Sequence, residues 1–348
     1  MALYPLLRPL AFALDAERAH RLTVRALKLL PAGLPPMTDA SLATRVAGLD
    51  FPNPVGLAAG FDKDAEVFAQ MLGFGFGFAE VGTLTPRPQE GNPKPRLFRL
   101  VEDRAVINRM GFNNGGLEAA QARLSRPRRG IVGINIGANK DSADRIADYA
   151  AGVRDMAPVA DYLTVNISSP NTPGLRGLQD RTALEELLAA VRDARGKQGP
   201  PLFLKVAPDL APADVDGIAA AAVGRLEALI VANTTVSRPP LRSRYRDQQG
   251  GLSGAPLKQF ALQRLRDFRT ATGGEIPLIA AGGIENGVDA FARIRAGASL
   301  VQLYSALVYE GPGLARRMIS EMRTLLHREG FRSLQEAVGS EEKPGPTA

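Results

Sequence analysis

Polar residues occur in this chain where short apolar runs end. Residues 166–171 read Asn-Ile-Ser-Ser-Pro-Asn and follow the largely apolar run 162–165 (Tyr-Leu-Thr-Val). Lys205 lies inside the apolar run 202–206, and Asn233 and Thr234 follow another such run. Buried segments do not carry such groups for packing, because an unpaired polar group in a core costs about 1–3 kcal/mol. We therefore interpret these residues as parts of one ligand-binding site, with Ser169 as a candidate for chemistry.

The same pattern recurs along most of the chain. The residues near the ends of the other apolar runs are mostly small, polar or charged; they are Ala59, Gly60, Phe61, Asp62, Lys63, Thr83, Asn135, Gly282, Gly283, Tyr304 and Ser305. A single residue of this kind is explained by a satisfied hydrogen bond in a core. Convergence from nearly every run favours an active site at one end of a sheet or barrel.

Lys205 has two chemical interpretations. Burial without an anionic partner depresses the pKa of a lysine, so a cofactor or substrate anion is its natural partner. Schiff-base chemistry is the alternative, because a desolvated lysine can act as a nucleophile.

Glycines mark a second candidate feature. Gly282-Gly283 and the segment 250–254, which ends in Gly254, resemble loops whose backbone N–H groups bind a phosphate. Turns also need glycines, so the pattern is weak by itself. If it is a phosphate site, FMN and PLP are the main candidate cofactors.

Eight apolar runs alternate with amphipathic stretches, and this order must position the residues above. The runs are nearly continuous rather than alternating, which is typical of parallel strands buried on both faces. We predict strands at 54–60, 78–85, 130–139, 162–169, 202–208, 228–235, 277–284 and 300–307, and helices at 64–72, 116–124, 142–156, 182–195, 213–222, 257–270, 287–296 and 313–328. Eight such units predict an α/β fold, the (β/α)8 or TIM barrel, over residues 33–339.

Three segments fall outside this repeat. Residues 87–111 contain strand-like pieces at 96–100 and 105–108, which predict an inserted hairpin over the barrel top. Residues 1–32 show helical spacing of leucines with several arginines, which predicts two basic amphipathic helices. They either associate with a membrane surface or pack on the barrel as ordinary helices. Residues 340–348 are expected to form a loose tail.

Composition excludes several classes of function. The chain has 348 residues, no cysteine and two histidines, His20 and His327, so we predict no disulfide, metal site, cysteine nucleophile or Ser-His-Asp triad. The net charge of +7 fits an anionic ligand, an anionic membrane or simply a basic surface. Nucleic-acid binding is not expected without a basic run or aromatic-rich basic module. No membrane span or signal peptide is evident.

Four motifs together carry a family resemblance. They are residues 56–63 (Gly-Leu-Ala-Ala-Gly-Phe-Asp-Lys), 107–113 (Ile-Asn-Arg-Met-Gly-Phe-Asn), 165–171 and 298–304 (Ala-Ser-Leu-Val-Gln-Leu-Tyr). Over residues 52–339, and more loosely over the N-terminal helices, the chain resembles the quinone-dependent, membrane-associated dihydroorotate dehydrogenases. That family carries FMN and oxidises dihydroorotate to orotate in pyrimidine biosynthesis.

The resemblance implies roles for individual residues. The cofactor FMN is expected to contact Ala59, Gly60, Phe61, Asp62, Lys63, Thr83, Asn135, Asn166, Lys205, Ala232, Gly254, Gly283, Tyr304 and Ser305. Orotate is expected to contact Lys63, Asn108, Arg109, Met110, Gly111, Phe112, Asn166, Asn171, Asn233 and Thr234. An amide-rich set suits a planar ring with N–H groups and carbonyls, because asparagine both donates and accepts hydrogen bonds.

The implied mechanism removes the C5 proton with Ser169 and transfers a hydride from C6 to the flavin. Lys205 stabilises the negative charge, and Thr172 and Phe112 lie beside a water relay for the serine proton. His20, Arg99 and Tyr304 are expected near the quinone head group, in a tunnel formed by the N-terminal helices. Relatives often carry threonine where this chain has Ala232 and Ser305, so a side-chain hydrogen bond from position 232 is lost.

The resemblance also implies a location. We expect a monomer bound peripherally to the cytoplasmic face of a bacterial inner membrane. Soluble relatives use cysteine as the base, and its absence here selects the quinone-linked branch. The rival interpretations are another FMN barrel oxidoreductase, a PLP or Schiff-base lyase, and a non-catalytic scaffold at a membrane surface.

Overall fold

A closed barrel of eight parallel strands forms the body of the protein, as the apolar runs predicted. The computed structural model describes residues 4–31, 35–172 and 174–341. Its strands in these ranges are β1 (Thr44–Val46), β2 (Leu49–Phe51), β3 (Val55–Leu57), β4 (Phe78–Leu84), β5 (Leu97–Leu100), β6 (Ala105–Asn108), β7 (Ile131–Ile136), β8 (Tyr162–Asn166), β9 (Leu202–Val206), β10 (Ala228–Val231), β11 (Gly251–Gly254), β12 (Leu278–Ala281) and β13 (Ala298–Leu303).

The barrel strands follow one another in the order β3-β4-β7-β8-β9-β10-β12-β13, and β13 closes the ring on β3. All seven residues of β4 are buried, because helices cover the outer face of the sheet and side chains fill the inside. Gly56 and Gly133 are needed inside the ring. A Cβ atom there would lie 2.2 Å from the Phe78 ring and 1.9 Å from the Tyr162 ring, respectively.

Aromatic side chains close the N-terminal end of the barrel. The ring of Tyr162 stacks on that of Phe203 at 4.5 Å, and Phe51 meets Phe78 edge-on at 5.1 Å. Phe51 comes from the antiparallel pair β1–β2, which the sequence analysis did not predict. This hairpin covers the barrel floor, so the opposite end is left for the polar residues.

Helices surround the barrel between its strands. They are α1 (Tyr4–Ala13), α2 (Ala16–Lys28), α3 (Phe68–Gly73), α4 (Leu117–Leu124), α5 (Arg145–Met156), α6 (Arg181–Arg195), α7 (Pro212–Ala222), α8 (Lys258–Ala271), α9 (Gly287–Arg295), α10 (Ser305–Glu310), α11 (Leu314–Arg328) and α12 (Leu334–Ala337). The predicted strand 300–307 was wrong in its second half, because Ser305 begins α10. The predicted helix from 64 begins only at Phe68, because the residues before it form turns.

The inserted segment forms a three-stranded antiparallel sheet. β5 and β6 pair as the predicted hairpin, with Leu97 opposite Asn108. β11 adds a third strand to β6, with Gly251 opposite Asn108. The glycines of residues 250–254 indicated a loop, and that interpretation was wrong for residues 251–254, which form β11.

The two predicted N-terminal helices are present. Asp15 begins α2, and its side chain accepts a hydrogen bond from the N–H of Arg18 at 2.9 Å. Leu6, Leu10 and Leu29 are 72%, 68% and 86% exposed, so much of the apolar surface of this helix pair is not covered by the barrel. Within the described ranges, no helix has the length and apolarity to cross a bilayer.

The predicted tail 340–348 falls largely outside the described residues, which end at Glu341. Glu341 still forms an ion pair with Arg266, and Ser340 donates a hydrogen bond to the carbonyl of Ala337. Residues 1–3 and 32 of the predicted N-terminal segment also lie outside the described residues.

Candidate active site

One cavity of about 660 Å³ lies between the C-terminal ends of the barrel strands, the three-stranded sheet and the N-terminal helices. It brings together most of the predicted residues. Those lining it are His20, Ala59, Gly60, Phe61, Lys63, Thr83, Arg99, Asn108, Met110, Gly111, Phe112, Asn166, Ser169, Asn171, Lys205, Ala232, Asn233, Thr234, Gly254, Gly283, Tyr304 and Ser305. The strand ends therefore converge as the sequence pattern indicated.

Asp62 and Arg109 do not line this cavity. The Asp62 carboxylate accepts hydrogen bonds from the backbone N–H groups of Glu66 and Val67, at 2.7 and 2.8 Å. The Arg109 guanidinium stacks over the Phe98 ring at 4.7 Å and donates to neighbouring backbone carbonyls. Their side chains therefore hold the surrounding loops, and the contacts of Asp62 with FMN and of Arg109 with orotate stay predictions.

Asn135 also lies behind the cavity wall, in a chain of buried hydrogen bonds. The Thr83 hydroxyl donates to Asn135 Oδ1 at 2.6 Å, and Asn166 Nδ2 donates to Asn135 Oδ1 at 3.0 Å and to Thr83 Oγ1 at 3.1 Å. Ser168 continues the chain, because its hydroxyl donates to Asn166 Oδ1 and accepts from Asn233 Nδ2, both at 2.6 Å. These bonds fix which amide atoms of Asn166 and Asn233 remain available to a ligand.

Glu80 lies beneath this series of hydrogen bonds and supports it. The sequence patterns did not identify Glu80 as a site residue. Its carboxylate is fully buried and accepts hydrogen bonds from Asn135 Nδ2 at 2.7 Å, Gln302 Nε2 at 2.8 Å, and the hydroxyls of Tyr162 and Thr164, both at 3.1 Å. A charged residue inside the apolar run 78–85 was the available signal, the same one that singled out Lys205.

Gln302 is a second residue that the sequence analysis left without a role. Its Nε2 is held by Glu80, so its Oε1 is directed elsewhere. Oε1 is buried, has no hydrogen-bond partner among the described residues, and belongs to a side chain that lines the cavity. It is an acceptor that a bound ring N–H group would satisfy.

Lys63 and Lys205 line the cavity, and neither forms an ion pair with a carboxylate in the described part of the chain. Burial lowers the pKa of Lys205, and the negative charge of Glu80 opposes this shift. Burial also lowers the pKa of Lys63, to about 8. An anionic ligand would stabilise the charged form of both lysines, as expected for a flavin and a carboxylate-bearing substrate.

Ser169 lies at the edge of this polar region. It is 6% exposed, and its Oγ accepts a hydrogen bond from the N–H of Asn171 at 3.2 Å. Asn171 Nδ2 donates in turn to Asn108 Oδ1 at 3.2 Å. Thr172 does not line the cavity, but its Oγ1 is buried and has no partner among the described residues. A water molecule beside Thr172 would satisfy it.

Arg176 holds the loop that carries Ser169, and sequence patterns gave no indication of it. Its guanidinium donates to the carbonyls of Ser168 and Thr234, at 3.0 and 3.2 Å. It also forms an ion pair with Asp209 at 2.9 Å. The serine loop and the segment that carries Asn233 are therefore tied to one another.

At the end of the cavity nearest the N-terminal helices, His20 meets two rings. Phe61 lies edge-on to it at 5.3 Å, and the Tyr304 hydroxyl is 3.4 Å from His20 Nδ1. Burial and the nearby charge of Lys63 lower the pKa of His20 to about 4, so the imidazole is neutral at neutral pH.

Arg99 is fixed at the same end by the first helix. It donates to the carbonyls of Ala11, at 2.9 Å, Phe12 and Leu14, and its guanidinium lies 4.7 Å from the Phe12 ring centroid. The three residues predicted for the quinone therefore line one end of the cavity.

Comparison with known proteins decides the family. The family model for dihydroorotate dehydrogenase matches residues 41–326. The chain belongs to the dihydroorotate dehydrogenase family. A relative from Erythrobacter litoralis, named dihydroorotate dehydrogenase (quinone), is 65% identical over 97% of this chain and 100% of its own length. A relative of the same name from Novosphingobium aromaticivorans is 64% identical over 98% of this chain and 100% of its own.

Solved structures agree with this placement in the family. A dihydroorotate dehydrogenase from Eimeria tenella in complex with ferulenol has a TM-score of 0.89 and 42% identity, covering 94% of this chain and 96% of its own. The ligand-free form of that enzyme has a TM-score of 0.89 and 43% identity, covering 95% and 100%.

Members of the dihydroorotate dehydrogenase family contain FMN, and the residues present here fit it. Lys205 and Gln302 offer a cation and an acceptor to a polar ring. The Ser305 hydroxyl donates to the Ser253 hydroxyl at 2.7 Å, and the Ser253 hydroxyl donates to the Val106 carbonyl at 3.2 Å; rotation would turn either hydroxyl to donate to a phosphate. Gly283 allows a close backbone approach there, because a Cβ atom would lie 2.3 Å from Lys258 Cα.

Proposed function

We propose that this protein oxidises dihydroorotate to orotate in pyrimidine biosynthesis, with FMN as the hydride acceptor and a quinone as the final electron acceptor. One observation supports this best: a single cavity joins the amide-rich end around Ser169 to the apolar end under the N-terminal helices. An enzyme that takes electrons from a polar substrate and passes them to a membrane quinone needs both kinds of surface around its cofactor.

The substrate end has groups that complement orotate. Asn108, Asn171 and Asn233 supply amide donors and acceptors to ring N–H groups and carbonyls. Lys63 supplies the cation for the carboxylate. The backbone around Met110, Gly111 and Phe112 closes the cavity over the ring and excludes water.

FMN, when bound, supplies the ring that accepts the hydride and passes electrons to the quinone. Ser169 takes the proton from C5 of the substrate, and the Asn171 N–H fixes its hydroxyl. The Ser169 proton leaves by way of water near Thr172, because no histidine hydrogen-bonds to Ser169 in the described ranges. Lys205 would supply positive charge to the cofactor, and the negative charge of Glu80 opposes the lowering of the Lys205 pKa by burial.

The N-terminal helices, within residues 1–32, form a unit separate in role from the barrel of residues 33–339. Their exposed leucines, with Arg8, Arg25 and Lys28 nearby, suit the surface of an anionic membrane. We infer a peripheral position on the cytoplasmic face of a bacterial inner membrane. His20, Arg99 and Tyr304 then bind the quinone head group, and the protein acts as a monomer.

The absorption spectrum of the purified protein tests the proposal. Bound flavin should colour it yellow, and anaerobic dihydroorotate should bleach the flavin band, whereas dihydrouracil, which lacks the carboxylate, should not. Protein that stays colourless after FMN is added would refute the assignment.

Ser169→Ala tests the base. The rate of bleaching should fall by about 10²–10⁴-fold, the usual contribution of a positioned base. FMN content and orotate affinity should stay near those of the unmodified protein and serve as the control. A normal bleaching rate would show that Ser169 is not the base.

A further inference from the structure

A buried ion pair connects the second N-terminal helix to the loop above the substrate end. Glu17 on α2 and Arg96 beside β5 are only 6% and 3% exposed. Arg96 donates from Nε to Glu17 Oε2 at 3.0 Å and from NH2 to Glu17 Oε1 at 2.8 Å. Such a two-point contact fixes the angle as well as the distance between the two side chains.

The rest of the Arg96 guanidinium holds the loop that follows Gln89. NH1 donates to the carbonyls of Glu90 and Asn92, at 2.6 and 2.8 Å. Close packing keeps this loop in place, because a Cβ atom on Gly91 would lie 2.3 Å from the Met110 carbonyl oxygen and 2.9 Å from Arg96 NH1. The loop therefore has little freedom to move independently of Arg96.

Asn92 connects this loop to the segments proposed to bind the substrate. Its Nδ2 donates to the carbonyls of Arg109 and Asn171, at 3.0 and 3.1 Å. Its Oδ1 accepts from Lys140 Nζ at 2.9 Å, so the amide is held at both ends. The carbonyls that it fixes belong to the two segments proposed to bind orotate.

We propose that Glu17 and Arg96 are positioning residues for the substrate, acting from the quinone-side helix through Asn92 on the segments of Arg109 and Asn171. This inference rests on the proposed function of those segments. A movement of α2, on which His20 also lies, would then change the affinity for orotate. The two ends of the cavity are thereby linked through protein contacts as well as through the cofactor.

The charge state of Glu17 agrees with this role. Burial would raise the pKa of its carboxyl, but the hydrogen bond and charge of Arg96, with Lys94 and Arg21, outweigh burial and keep the pKa below its usual value. The pair is therefore ionised at neutral pH. Neutralising Glu17 leaves the Arg96 cation buried with a weaker partner, which loosens the loop.

Glu17→Gln in the full-length holoenzyme tests the link. The change keeps the shape of the side chain and removes its charge. We expect the Kd for orotate, measured from the flavin absorbance change, to rise about two- to tenfold, as for a weakened buried hydrogen bond. With a soluble dye as acceptor, the KM for dihydroorotate should rise similarly and kcat should change less.

Glu66→Gln is the matched control. It breaks the ion pair between Glu66 and Lys28, which also joins α2 to the barrel but does not touch the loop of Asn92. Orotate affinity should not change in this variant. An equal loss in both variants would mean that any weakening of the helix contact has the same effect, and would overturn the specific path.

A double-mutant cycle with Asn92→Ala tests the intermediate step. If Glu17 acts through Asn92, the two changes together should weaken orotate binding little more than Asn92→Ala alone. Full additivity, or unchanged orotate affinity in Glu17→Gln, would overturn the inference. If Glu17→Gln does not fold, Glu17→Asp supplies the helix-side perturbation. Failure of the unmodified holoenzyme to bind orotate would instead count against the proposed function.

Discussion

Glu80→Gln is a direct test of the buried network beneath the cavity. The carboxylate accepts four hydrogen bonds, and glutamine has one acceptor oxygen in its place. The hydroxyls of Tyr162 and Thr164 can rotate and accept instead, and Asn135 can keep its bond. The Gln302 Nε2 donor then faces an NH2 group, so at least one charge-assisted bond is lost.

The loss of one such bond costs about 1.5–3 kcal/mol. The three remaining bonds lose their charge assistance and Lys205 loses a nearby negative charge, so the total exceeds the cost of that one bond. At about 2.1 cal/mol/K of unfolding entropy per residue over 348 residues, the loss of that one bond alone lowers Tm by about 2–4 °C. Thermal unfolding followed by circular dichroism, with excess FMN in every sample because bound ligand stabilises the folded state, measures the shift.

Tyr162→Phe is the matched control for this measurement. It removes one of the four donors to the same carboxylate and leaves the charge, which costs about 1.5–3 kcal/mol, or about 2–4 °C, and leaves the other three bonds charge-assisted. If the Tm of Glu80→Gln is no lower than that of Tyr162→Phe, the charge of Glu80 does not stabilise the network. Glu80 would then not stabilise the charged form of Lys205 either.

Three further predictions concern the ligands and the membrane. Because the pKa of Lys63 is about 8, orotate affinity should fall as the pH rises above that value. The Lys63→Arg variant stays charged, so its orotate affinity should not show this fall. A pH-independent Kd for orotate in the unmodified protein would contradict the role of Lys63. Gly283→Ala, whose Cβ would meet Lys258, should lower the flavin-to-protein ratio; normal flavin content and Tm would show otherwise. The double variant Leu6→Glu with Leu10→Glu should reduce cosedimentation with anionic vesicles about tenfold or more without changing dye-coupled turnover. Unchanged cosedimentation would show that these exposed leucines do not bind the membrane.

Periodicity predicted the barrel because eight buried strands leave eight nearly continuous apolar runs. It did not separate the end of β13 from α10, since residues 304–307 (Tyr-Ser-Ala-Leu) are largely apolar and a short buried helix cannot be told from a strand by apolar periodicity. β11 was missed because Gly250-Gly251 and Gly254 are typical of a loop. It is a strand only because β6 is available to pair with it, which is a property of the tertiary structure.

Some residues of the candidate site could likewise be predicted from the sequence, and others could not. Residues at strand ends, such as Lys205 and Asn166, could be predicted because the fold fixes where strand ends meet. Gln302 Oε1 and Glu80 could not be assigned roles, because these depend on which buried atoms remain unpaired. The contact between Glu17 and Arg96 joins residues far apart in sequence, and no spacing rule relates them. The residue roles carried over by resemblance remain predictions to be tested by the variants above.

The three-stranded sheet has a consequence for how the enzyme matures. Its pair β5–β6 is synthesised early, and β11 is synthesised only after most of the barrel strands. A nascent chain folds from its N-terminus as it emerges. For much of its synthesis the three-stranded sheet beside the cavity is therefore incomplete, and the edge of β6 is unpaired. Flavin uptake can follow only when distant parts of the chain have met. Cofactor occupancy would thus report on completed folding, and chaperones that shield exposed strand edges should matter most before β11 arrives.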